Sequence, residues 1–103
     1  MKNFYKKLKN ITLASLKQKK NELWDAEGVL HNQLLKFDLR PLKNNAKGGS
    51  FRTKADKMVF DMKDQFIVVD TEELHQYLKE NKLKEVHLQD LLSKLEWNII
   101  LPK

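Results

Sequence analysis

The run Leu35-Lys36-Phe37-Asp38-Leu39-Arg40 constrains this chain more than any other feature. Apolar and charged residues alternate strictly. A helix would scatter Leu35, Phe37 and Leu39 around its circumference, whereas a strand sets all three on one face. Pro41 then limits further pairing. MVFDM at 58–62 alternates again through Met58, Phe60 and Met62, and FIVVD at 66–70 is rich in β-prone residues. Lys63-Asp64-Gln65 between them has the length and polarity of a hairpin turn. The three runs read as an antiparallel meander whose first connection is the segment 43–57.

Helical patterns flank the meander. Thr12 is a candidate N-cap, and Leu13, Leu16, Leu23 and Leu30 recur on one side, which predicts a helix over 12–27, with Gly28 either ending it or tolerated within a continuation to about residue 35. Phe4, Tyr5 and Leu8 suggest a preceding turn that docks on the core. Asp70 and Glu73 form a capping-box pattern opening TEELHQYLKEN, with Leu74, Tyr77 and Leu78 inward and a left-handed Asn81 as its stop. Leu88, Leu91, Leu92 and Leu95 mark a second helix over 87–96, and WNIIL, 97–101, a final strand. The expected fold is a single α+β domain spanning 1–103: an N-terminal helix, a three-stranded antiparallel meander, a C-terminal helix pair and a short final strand.

Several chemistries are discounted. There is no cysteine, which excludes disulfides, thiolate metal sites and cysteine nucleophiles and points to a reducing, cytoplasmic setting. The apolar stretch Ile11–Leu16 is shorter than the roughly 7–15 residues of a signal core, and no run approaches the roughly 18 of a membrane span. His31, His75 and His87 lack metal-ligand spacing, and Ser15, Ser50 and Ser93 sit in no nucleophile elbow. Asp61-x-Lys63, with Asp38 and Glu22 or Glu27, could assemble a carboxylate cluster of the nuclease kind, but a D-x-K tripeptide arises by chance in a chain with 33% charged residues. No catalytic residue, metal or cofactor is expected.

The charge is uneven. Residues 1–57 carry fourteen Lys and Arg against five acids, while residues 58–103 carry six Lys against nine acids. The first 21 residues hold seven Lys and no acid. Segment 43–57, KNNAKGGSFRTKADK, adds Gly48-Gly49, spaced cations and one aromatic, a composition that follows a phosphate backbone and stacks a base. The expected activity is therefore non-catalytic binding of nucleic acid, DNA or RNA, through Lys6, Lys7, Lys9, Lys17, Lys20, Lys43, Lys47, Phe51, Arg52, Lys54 and Lys57. The alternative is a protein-interaction module (an inhibitor, an antitoxin-like factor or an assembly adaptor). Its interface with a partner or a second copy would be an exposed β-edge or the helix carrying Leu88–Leu95.

Overall fold

The computed structural model describes residues 2–41, 47–49, 53–82, 85–87 and 93–103. Its elements in chain order are α1 (Lys2–Tyr5), β1 (Lys9–Leu13), α2 (Leu16–Glu22), β2 (Ala26–Leu30), β3 (Gln33–Pro41), β4 (Lys47–Gly49), β5 (Lys57–Asp61), β6 (Gln65–Asp70), α3 (Thr71–Glu80), β7 (Glu85–His87) and β8 (Asn98–Pro102). Six strands form one sheet in the order β1-β2-β3-β5-β6-β8, and β4 pairs with β7 in a separate ribbon. The architecture is thus dominated by a six-stranded sheet, not by an N-terminal helix and a C-terminal helix pair around a three-stranded meander.

The first correction concerns 12–27. The predicted helix is replaced by β1, the short α2 and β2. Leu16, Leu23 and Leu30, seven apart, do not share a buried face: Leu16 is 87% exposed, Leu23 is exposed and Leu30 is buried. Ala26, Gly28 and Leu30 instead alternate inward from β2. The true N-cap of α2 is Ser15, whose hydroxyl accepts the Gln18 N–H while the Gln18 side chain accepts the Ser15 N–H. Such reciprocal capping fixes both ends of one turn and explains why helix begins here rather than at Thr12.

The second correction is the strand pairing. β3 and β5 run parallel, in the register Phe37↔Lys57 to Pro41↔Asp61, so the three strands foreseen do not form a meander. A parallel neighbour needs a crossover of a dozen or more residues, and the stretch from 42 to 56 supplies it. The β5–β6 hairpin forms as expected, with Met58 opposite Val69 and Phe60 opposite Ile67. β8 adds to β6 at the sheet's far edge.

The third correction is at the C-terminal side. α3 has the expected Asp70 cap, whose carboxylate accepts the Glu73 N–H at 3.0 Å. Glu73 does not reciprocate: its carboxylate accepts the N–H groups of Glu96 and Trp97, pinning the chain that leads into β8. Asn81 is not left-handed, Lys82 is (φ 54°). Of the helix expected over 87–96, His87 belongs to β7 and Ser93–Lys94 are helical, while 88–92 lie outside the described residues.

Apolar side chains cover both faces of the sheet. On one, Met58, Phe60, Ile67 and Val69 meet Leu74 and Leu78 of α3 and Leu95. On the other, Leu30, Phe37, Leu39, Val59, Phe66 and Val68 surround Phe4 and Leu8, joined by Trp97, Ile99 and Leu101 from the β8 end. Phe4 is fully buried, edge-on to Phe37 at 5.3 Å and to Phe66 at 5.4 Å. One cluster thus gathers residues of five strands, so the sheet curls around the Phe4 plug like an unclosed barrel. Among the described residues no helix is long and apolar enough to cross a membrane.

Candidate nucleic-acid interface

β1 is an edge strand of the sheet, beside β2, and all five of its residues are exposed. Its register shifts between Lys9↔Val29 and Thr12↔Glu27, an extra residue on β1, with Asn10 at φ 55°. Asn tolerates the left-handed region that such a bulge requires. α2 then projects from the sheet as an excursion closed at its base by the Ala14 N–H to the Asp25 carbonyl, 2.9 Å. Asp25 ties this base to β3: its N–H donates to the Phe37 carbonyl, and its carboxylate accepts the Leu39 N–H at 2.8 Å. α2 buries none of its residues. A helix that buries nothing is held by its caps and its base, and its lysines face solvent.

The lysines foreseen from sequence separate into three groups. Lys6, Lys9, Lys17, Lys20 and Lys54 are exposed and Lys7 is half-exposed; none forms an ion pair among the described residues. Lys54 joins the N-terminal set in space: its N–H donates to the Glu22 carbonyl at 2.9 Å, and the Thr53 hydroxyl to the Leu23 carbonyl. The end of the crossover is therefore docked on the C-terminus of α2, the helix that carries Lys17 and Lys20. Lys47 lies in β4 opposite His87, while Lys43, Phe51 and Arg52 lie outside the described residues.

Lys57 stands apart. It is 9% exposed, its ammonium 2.7 Å from the Asp70 carboxylate and 3.8 Å from the centre of the Trp97 ring. Burial alone would raise the Asp70 carboxyl. The Lys57 hydrogen bond, the Glu73 N–H and the Lys57 charge outweigh it and hold the group below the usual carboxylate range. Lys57 is committed to this contact. The surrounding open pocket, about 710 Å³, brings Asp56, Asp70 and Glu72 together and so disfavours phosphate.

The carboxylates considered for nuclease chemistry do not converge. Asp38 is opposite Met58 and Asp61 lies three residues further along β5, so the two side chains point to opposite faces. Asp38 is buried and held two-pronged by Arg40, at 2.8 and 2.9 Å, and this hydrogen bond, outweighing burial, pushes the guanidinium further up. Asp61 pairs with Lys103 at 2.5 Å. Among the described residues no group of three potential metal ligands occurs.

A second feature of the basic edge was hidden in the sequence. His31 and Asn32, at φ 50° and 65°, make the two-residue turn that joins β2 to β3. The turn, with Lys7, Lys9, Val29, Leu30 and Leu101, lines a pocket of about 380 Å³. Lys9 belongs to one edge strand and Leu101 to the other, so the curl of the sheet opens this pocket at the seam between its two edges. Reading 12–27 as helix concealed the turn, although two adjacent residues tolerant of positive φ were its signal.

No family model, no curated protein and no solved structure matches this chain.

Proposed function

We propose that this protein binds nucleic acid without catalysis, along the face formed by α1, β1, α2 and the docked end of the crossover. Lys6, Lys7, Lys9, Lys17, Lys20 and Lys54 are the phosphate contacts. The observation that carries this reading is the docking of the crossover on α2, which adds Lys54 to lysines distant in sequence. Each is unpaired among the described residues, so phosphate contact breaks no internal ion pair there. Lys19 is partly held by Asp25 at 3.5 Å and contributes less. Lys57 is outside the face, because breaking its contact with Asp70 would leave a carboxylate uncompensated.

The test is a salt titration of duplex and single-stranded DNA and RNA binding by fluorescence anisotropy. Lys17→Gln, Lys20→Gln and Lys54→Gln together should flatten the plot of log K against log salt. The expected change is about 0.9 for each duplex phosphate no longer neutralised, or about 0.7 on single strands. Binding with no salt dependence, or none at all, would overturn the reading.

A protein-interaction role is the second reading. It is favoured by the outer edge of β1 and by Ile11, Leu13 and Leu16, exposed by 40, 62 and 87%. A stable complex or oligomer in size-exclusion chromatography, abolished by Leu13→Lys with Leu16→Lys, would select it.

A further inference from the structure

We propose that the seam pocket between the sheet edges is a seat for a phosphomonoester, the terminal phosphate of a nucleic-acid strand. This inference rests on the nucleic-acid reading and deepens it.

Lys7 and Lys9 flank Leu8, which is buried in the core, and both line the pocket. That anchor fixes the backbone from which both lysines extend. Leu8 lies over Gly28, where an added Cβ would meet the Leu8 Cβ at 3.0 Å and Cδ1 at 3.1 Å, so close packing fixes the backbone between the two lysines. His31 and Asn32 face them from the turn. The pocket is therefore lined by two lysines, a histidine and an asparagine, residue types whose side chains can donate to phosphate oxygens, together with Val29, Leu30 and Leu101 as apolar lining. Among the described residues no acid lines it.

That donor set suits a terminal phosphate better than a link within a strand. A monoester has three unesterified oxygens and carries about −1.5 to −2 charge at neutral pH, against about −1 for a diester. An internal phosphodiester must continue in two directions. A strand end needs only one exit, which the lysine-bearing face beyond Lys9 provides, and the apolar wall is placed for the terminal sugar or base.

The experiment compares one short single-stranded oligonucleotide bearing a 5′-phosphate, a 3′-phosphate or only hydroxyl ends, by fluorescence anisotropy. At least one phosphorylated form should bind about tenfold more tightly than the hydroxyl form, the scale of added hydrogen bonds to a charged group. In His31→Gly, which keeps the left-handed turn, and in Lys7→Gln, that ratio should fall towards one. AMP should erase the advantage only at concentrations far above the oligonucleotide's Kd. AMP binding as tightly as the phosphorylated strand would make the free nucleotide the ligand and overturn the strand-end assignment. Equal affinities for all three oligonucleotides, with salt-dependent binding intact, would refute the seat and leave the interface standing. No binding of any oligonucleotide, single or duplex, would remove both.

Discussion

Leu8 and Gly28 are a matched pair: the leucine occupies the space that any side chain at 28 would need. The Lys9 carbonyl closes the same space at 3.3 Å from a Cβ placed there. Gly28 is thus required by close approach, not by its backbone angles, since no glycine among the described residues has positive φ. Gly28→Ala should destabilise the fold by about 1–3 kcal/mol, the usual cost of overpacking, as measured by urea denaturation. In a double-mutant cycle, Leu8→Ala should relieve part of that cost. Strict additivity would mean that the two residues pack loosely.

Phe4 should be among the most costly side chains to remove. It belongs to a four-residue helix that could not persist alone, yet it fills the space between Phe37 and Phe66. Phe4→Ala should cost about 3–5 kcal/mol in a chemical melt. A loss below about 1 kcal/mol would show that the sheet closes over the gap without its plug.

The pairing of Lys57 with Asp70 should make stability depend on acidity. Asp70 is held below its unfolded carboxyl range, so its contribution is complete above that range and disappears as pH falls through the lowered folded value. Asn caps helices about as well as Asp, so Asp70→Asn isolates the charge. The substitution should lower stability by about 1.5–3 kcal/mol at neutral pH, with the two melting curves converging in acid. A gap that stays constant down to pH values well below the carboxylate range would assign the effect to packing.

Tyr5 offers an independent check on the curled sheet. Burial, and then the negative charge of Asp25, push its phenol above the ordinary value. Its titration, followed by ultraviolet difference absorbance, should shift back towards normal in Asp25→Asn. An unmoved titration would place Asp25 too far away to act.

How much of this was legible in the residues differs by element. The alternation around Phe37 and the apolar run from Phe66 declared strands, because a side-chain period of two has no helical counterpart. Asp70 declared the start of α3 for a similarly local reason. β2 was obscured because Ala26 and Gly28, its small inward residues, carry little hydrophobic signal, while leucines seven apart imitated a helix. The parallel pairing of β3 with β5 depended on the crossover's length, and fifteen residues from 42 to 56 are far beyond a hairpin loop. The basic edge was visible as composition. The docking of Lys54 on the end of α2 was not, because that rests on two hydrogen bonds to backbone carbonyls of a distant segment. Lys57 misled for the opposite reason, since its lysine neighbours in sequence are exposed and its partners, Asp70 and Trp97, are remote.

The left-handed Asn10 has a bearing on what the outer edge of β1 offers to another strand. An edge strand with outward N–H and C=O groups invites a neighbour's strand to pair, and Ile11 and Leu13 would make the union adhesive. The bulge breaks the row after Lys9, so an intruding strand finds matched partners only over the short stretch that follows. The cation before the break adds repulsion between identical molecules. The irregularity in β1 thus shortens the regular row of backbone groups that another strand could pair with along this edge.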